Sequence, residues 1–391
     1  MPICERIALV TFLLMYMNGI AQELPVTVKN DLDFDRKEVV ALKRKHLAKL
    51  LRSHPQKDIR ILKANSHEYL PLQWIDNDGD GKDDELLFVA EVRANETAAY
   101  RLAVDSKTSS SGIMYGAYSR FIPERSDDLA WENDKVAFRV YGPKGQKEAL
   151  KGVPGSTLSS GVDIWLKRVS RPVIEAWYAG HKASPGYYHT DRGEGYDPYH
   201  VGASRGTGGS GVWIKDSLQV SENFIGHRIL ATGQLRTVFE LDYAPWGEFG
   251  VRETKRITLD VGSNFSKFEI TARSEKKFPN YAVGITLHRN EGEVIMNKQK
   301  GWFCHWEKID DAYIGEGIVT DAETIMSAFA HVSKMPDQSN LLVLLKPSSK
   351  IVYYAGFAWQ KCGQVDDAAD WDSMLQRQAD IIAHPMEVRY R

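Results

Sequence analysis

Phe268-Glu269-Ile270-Thr271-Ala272-Arg273 carries its apolar side chains at 268, 270 and 272, every second residue. That spacing puts them on one face of a β-strand and leaves Glu269, Thr271 and Arg273 on the other. Leu235 to Leu241 repeats the pattern with 235, 239 and 241, and Tyr281 to His288 with 281, 283, 285 and 287. These segments predict strands with one buried face. Further strands are predicted at 70–75, 85–92, 135–141, 173–178, 255–261, 341–345 and 351–355, separated by clusters of Gly, Asn, Asp and Pro. Helical spacing is rarer. It predicts one helix over 35–52, with Val39, Leu42, Leu47 and Leu50 on a face, and another over 368–383, with Trp371, Leu375 and Ile382 recurring before His384-Pro385. Gly142 to Gly161 reads as a long loop. Many antiparallel-type strands with two or so packed helices predict an all-β chain, a large two-sheet antiparallel β-sandwich with a few peripheral helices.

The 391 residues are 43% hydrophobic, 10% aromatic and 26% charged, enough to bury a large core. With neither repeat nor domain-length linker, residues 22–391 are expected to form one domain. Net charge is −2, without a basic tract, so the electrostatic footprint of a nucleic-acid binder is missing. Arg6, the apolar run Ile7 to Met17 and the small residues Gly19-Ile20-Ala21 read as a secretory signal peptide over 1–21. That run is about 11 residues against the roughly 20 that span a bilayer. Periplasmic or secreted localisation is expected, with no membrane span. Only Cys304 and Cys362 remain after cleavage, and they are expected either to pair or to be buried thiols.

Asp76-Asn77-Asp78-Gly79-Asp80-Gly81 begins like an oxygen-ligand calcium loop, but loop position twelve is Leu87 rather than glutamate. Asp76, Asp78 and Asp80 therefore read as a structural calcium turn or as an acidic hairpin turn; no other cofactor is called for. The densest polar stretch runs from Tyr187 to Gly211, a glycine-shaped loop. As an acid–base site it offers His189, Tyr188, Tyr199 and His200 for proton transfer, with Arg192 and Arg205 for a substrate carboxylate. As a metal site it offers His189, Asp191, Asp197 and His200, without a tight histidine pair. As a structural loop its tyrosines cover core. Phosphate-loop and nucleophilic-serine motifs are missing. Arg236 and Glu240 point away from the buried side of their strand, as does His288. Trp246, Trp302, Trp306 and His305 are flat surfaces on which a sugar ring can stack.

The segments Trp131 to Gly142, Gly161 to Trp165, Gly193 to Gly195, Tyr199 to Gly202, Tyr353 to Gly356 and Trp359 resemble, in this order, a domain of unknown function found in exported proteins of Bacteroidota polysaccharide-utilisation loci. The resemblance implies a galactose-mutarotase-like super-sandwich and a role in degrading acidic plant or algal polysaccharides. The chain is also similar to an oligosaccharide dehydratase of ulvan degradation. That implies elimination at a uronic acid, with His189 or Tyr188 as base, Arg205 or Arg236 on the carboxylate, and Tyr199 or His200 as acid. Hydrolysis remains a second reading, with Asp191, Glu194, Asp197 and Glu240 as candidate carboxylates. A sugar-binding protein without turnover is a third, on the same acidic oligosaccharide partner.

Overall fold

A computed structural model describes residues 24–106, 116–335 and 337–390; the signal-peptide segment 1–21 lies outside them. Among the described residues the chain forms five antiparallel sheets, and the all-β sandwich read from alternation is what they build. The largest sheet has eight strands, ordered 226–231, 236–242, 252–260, 265–273, 350–359, 312–319, 302–309 and 293–297. Its inner face carries Phe239, Leu241, Ile257, Phe268, Ile270, Ile314 and Phe357, all buried. Against it lie two five-stranded sheets, one spanning residues 118–196 and the other 207–345, joined side by side by a bridge between Val162 and Gly206. Trp131, Phe138, Ile164, Leu166, Val283, Ile285 and Leu341 reach inward from these to complete one hydrophobic core. Tyr281–Thr286 is buried on both sides, so it is a central strand rather than one with a single buried face.

Helix α1 (Ala48–Ser53) is what remains of the helix expected over 35–52. Residues Arg36–Lys43 pair instead in unbroken antiparallel register with Glu85–Val92, because Val40 and Leu42 alternate into a small core with Leu86, Phe88 and Val26. This small sandwich contains a four-stranded and a three-stranded sheet, and the C-terminal strand Glu387–Tyr390 closes it by pairing with Leu24–Lys29.

Helix α2 (Pro143–Ala149) lies inside the stretch expected to be loop, opening with proline at its first turn, where the missing N–H costs nothing. The strand expected over 173–178 is helix α3 (Ile174–Ala183). The buried Glu132 carboxylate accepts the Val173 and Ile174 amides at 2.9–3.0 Å, satisfying the start of the helix, and Ile174, Trp177 and Tyr178 bury one helical face. Helix α4 (Ala368–Ala383) forms as expected, capped by the Asp367 side chain on the Asp370 amide. It lies on the outer face of the eight-stranded sheet, where Gly315 and Gly317 make room: a Cβ at either would sit 2.4 Å from Trp371 or Leu375. Full burial of a side chain such as Leu375 contributes about 1.5–3 kcal/mol.

Cys304 and Cys362 are unpaired thiols, Cys304 facing Asp372 and Cys362 donating to the Trp359 carbonyl at 2.7 Å. No helix among the described residues is long and apolar enough to cross a membrane.

Candidate functional site

The segment Tyr187 to Ser210 runs past two buried polar centres. The first lies on the outer face of the 118–196 sheet, beneath α3. Arg139 and Asp163 project from apolar strands, and the Arg139 guanidinium donates to Asp163 at 2.7 Å, to Asp197 at 2.9 Å and to the Tyr188 hydroxyl at 3.2 Å. All four are buried, and Arg139 also stacks on Trp165 and Tyr188. One Asp163 oxygen and one Asp197 oxygen have no partner. Burial, then the neighbouring Asp163, hold the Asp197 carboxyl well above its usual range, against the pull of Arg139. Burial likewise lifts Asp128 to about 6, against the pull of Arg139 and Arg125.

Over this centre two histidines flank Tyr188. His181 stacks on the Tyr188 ring with centroids 4.5 Å apart, and His189 meets it edge-on at 4.7 Å. His189 Nδ1 lies 2.7 Å from the Asp197 carbonyl oxygen, which can only accept, so Nδ1 carries the proton and neutral His189 presents Nε2 as a lone pair. Its side chain is 52% exposed. His181 has the opposite tautomer: its Nδ1 accepts from the Gly186 amide at 3.1 Å, leaving Nε2–H as a donor. Burial, then Arg125, push the His181 pKa down, favouring this neutral form. Arg125 approaches the same hydroxyl and retains 19% side-chain exposure.

The second centre lies inside the sandwich, where His305 and Glu307 on one strand and Glu316 on the next face inward. The Tyr199 hydroxyl donates to Glu316, and Thr207 donates to the same oxygen at 2.7 Å. His305 Nδ1 lies 3.2 Å from the other Glu316 oxygen, and His288 Nδ1 lies 2.6 Å from Glu307. The His288 Nε2–H donates to the His200 carbonyl at 3.1 Å. Burial pushes the His288 pKa down, but the bond to Glu307 together with the negative charges of Glu307 and Glu316 leaves it raised overall; burial raises Glu307.

The expected site residues divide accordingly. Tyr188 and His189 belong to the first centre. Tyr199 and His288 belong to the second, with His200 at the surface above it, 3.0 Å from Asp337. Arg205 is buried, donating to Ser160, the Ser210 carbonyl and the Ala203 carbonyl, so it is placed away from any substrate. Burial lowers its pKa to about 10. Arg192 bonds the carbonyls of Tyr187 and Thr190 in its own loop. Arg236 pairs with Asp260, and Glu240 with Arg228 and Arg256, on the outer face of the eight-stranded sheet, so neither joins the loop. Trp246 is core, Trp302 bonds Gln376 of α4, and Trp306 stacks on Tyr313; none offers a flat open face. Asp191 bonds the Gly193 and Gly195 amides and Glu194 bonds Trp177 and Arg171, which occupies the carboxylates a hydrolase would need.

In the acidic turn, oxygens of Asp76, Asp78 and Asp84 converge, while Asp80 lies outside the group and accepts the Lys82 amide. Asp76 already accepts the Gly79 and Gly81 amides at 2.7 Å, as a hairpin turn requires without any ion.

Arg139, Asp163, Arg125, His181, Glu307 and Glu316 escaped the sequence reading. Two carried a signal: Arg139 within Ala137-Phe138-Arg139-Val140 and Asp163 within Val162-Asp163-Ile164-Trp165 are charges inside apolar strands, which burial permits only in pairs. His305-Trp306-Glu307 was another, since alternate strand residues share a face.

Fold and centres together define an all-β sandwich protein with a histidine pair mounted on a buried ionic centre. The chain belongs to the family described as domain of unknown function (DUF4861), which matches residues 28–388. It is 41% identical over 369 residues to "Uncharacterized protein P7" of Formosa agariphila, covering 93% of this chain and 92% of that one. Among solved structures, a protein in the glycosyl hydrolase family 38 from Enterococcus faecalis aligns with TM-score 0.48 and 8% identity, over 94% of this chain and 47% of that one. An alpha-mannosidase from the same species aligns at 0.41 and 8%, over 94% and 46%. The chain spans about half the length of those two structures, and at these scores no activity carries over.

Proposed function

We propose that this protein is an exported carbohydrate-active enzyme that eliminates water, or cleaves by β-elimination, at a uronic acid of an acidic oligosaccharide. The observation that carries the reading is the pair of opposed tautomers around Tyr188, an exposed lone pair on His189 and an N–H on His181. Such an elimination needs a base for the C5 proton, an acid for the departing oxygen and a cation beside the carboxylate. His189 Nε2 takes the C5 proton, the C4–C5 double bond forms as the C4–O bond breaks, the neutral His181 Nε2–H holds the departing oxygen by a hydrogen bond, and the imidazolium formed at His189 returns its proton to that oxygen. Arg125 faces the carboxylate. Tyr188, held between two guanidinium groups, positions both rings and is the alternative proton carrier.

The family resemblance to exported proteins of Bacteroidota polysaccharide loci, including an ulvan oligosaccharide dehydratase, supports the substrate class. The signal-like residues 1–21 support export. Oligosaccharide binding without turnover is the competing reading.

The test is ultraviolet absorbance of the conjugated unsaturated uronate during incubation with uronate-terminated oligosaccharides, with mass spectrometry of the products. Loss of one water identifies a dehydratase and chain cleavage a lyase. His189→Gln is expected to lower turnover by roughly 10²–10⁴-fold, the usual contribution of a positioned acid or base. Full turnover in His189→Gln, or binding without turnover across the panel, overturns the proposal.

A further inference from the structure

The second centre is not used by this chemistry. We infer that His288, His305, Glu307 and Glu316 form a binding site for one divalent transition-metal ion of the zinc class.

Four potential donors from two strands and one strand end converge here, and oxygens of Glu307 and Glu316 and a nitrogen of His305 lie within 4.8 Å of one another. Zinc bonds to nitrogen and oxygen of about 2.0–2.2 Å in a tetrahedron imply donor–donor edges of roughly 3.3–3.6 Å. His305 Nδ1 lies 3.2 Å from Glu316 and 3.8 Å from Glu307, on either side of that edge. The supporting bonds are also those of a metal centre. His288 donates its far ring nitrogen to a backbone carbonyl, and Tyr199 and Thr207 hold the outer Glu316 oxygen, which aims the inner one at His305.

That bond to the His200 carbonyl fixes the proton of neutral His288 on Nε2, so its Nδ1 lone pair faces the Glu307 oxygen at 2.6 Å. Lone pair against carboxylate is repulsive unless a proton lies between, as 2.6 Å suits, or the pair opens by about 0.7–1.0 Å to the donor–donor edge around a metal ion. His288 also has a positive φ of +39°, a strained conformation for a side-chain-bearing residue, and it aims the ring into the centre. A route inward exists, since the His288 and Glu307 side chains are 17% and 9% exposed. Two imidazoles with two carboxylates suit zinc better than calcium or magnesium, which take oxygen-rich shells of higher coordination.

The experiment uses the full mature chain, stripped with a chelator and titrated calorimetrically with Zn²⁺, Mn²⁺ and Ca²⁺ in turn. One equivalent of Zn²⁺ is expected to bind, more tightly than Mn²⁺ or Ca²⁺, and to raise the melting temperature. His305→Gln with Glu316→Gln is expected to abolish that binding while the metal-free double variant keeps the circular dichroism of the metal-free parent. Tyr199→Phe, which removes only a supporting bond, is expected to weaken it by about 10–100-fold. No Zn²⁺ binding would overturn the inference and leave a proton between His288 and Glu307. Zn²⁺ binding undiminished in the folded double variant would overturn it equally, placing the ion elsewhere, as at the Asp76 turn.

Discussion

Replacing Arg139 with methionine isolates the ionic centre on which the histidine pair stands. The methionine fills much of the volume but removes a guanidinium that bonds Asp163, Asp197 and Tyr188 together. Asp163 and Asp197 are each 1% exposed, and each already has one oxygen without a partner, so neither can turn to water. Removing one partner of a buried ion pair costs about 3–5 kcal/mol. Against a total stability of roughly 5–15 kcal/mol this is a large fraction, and the urea midpoint is expected to fall accordingly. Arg139→Lys is expected to recover less than half of the loss, because a single ammonium cannot span both carboxylates and the phenol. Arg139→Met combined with Asp163→Asn and Asp197→Asn is expected to return most of it, since no buried charge is then left alone. A stability change of less than about 1 kcal/mol for Arg139→Met would refute the assignment of this centre as a desolvated ion cluster.

Asp128 gives a pH-dependent companion test. Its folded pKa is raised from 3.8 to about 6, so between those values the folded protein holds a proton that the unfolded chain has lost. This group therefore favours folding at low pH and withdraws up to about 3 kcal/mol as pH rises through 6, at about 1.4 kcal/mol per unit. Asp128→Asn is expected to gain on the parent as pH increases from 4 to 7 in denaturant titrations, and a constant or shrinking advantage would contradict the sign. We further propose that residues 22–391 unfold as one unit. The C-terminal strand completes the small sandwich, Arg256 of the large one bonds Asn77 of the small one, and Gln73 of the small one bonds the Arg236 carbonyl of the large one. Calorimetry is expected to show one transition, and two separated transitions would refute it.

The sequence by itself determined the sheets. Alternation in 235–241 and 268–273 sorts side chains by face, and a period of two has only one regular solution. It determined α4 for the same reason, with apolar residues at helical spacing and His384-Pro385 as the stop. It failed at 36–43 and 173–178, where short apolar runs fit either period. There the decision came from partners distant in sequence, the strand 85–92 in one case and the Glu132 carboxylate in the other. The Tyr187–Gly211 segment was legible as a polar loop, and Tyr188 and His189 as candidates within it. Which arginine stands beside them was not legible, because Arg125, Arg139 and Arg205 are alike until packing places them. Arg205 faces serines and carbonyls in the interior, whereas Arg139 and Arg125 meet at Tyr188. The same holds for Glu316, an ordinary strand glutamate until Tyr199 arrives from a loop and His305 from the neighbouring strand. Local periodicity is written in neighbouring residues and survives reading one by one; the convergence of charges is a property of long-range contacts, which exist only once the sheets have packed.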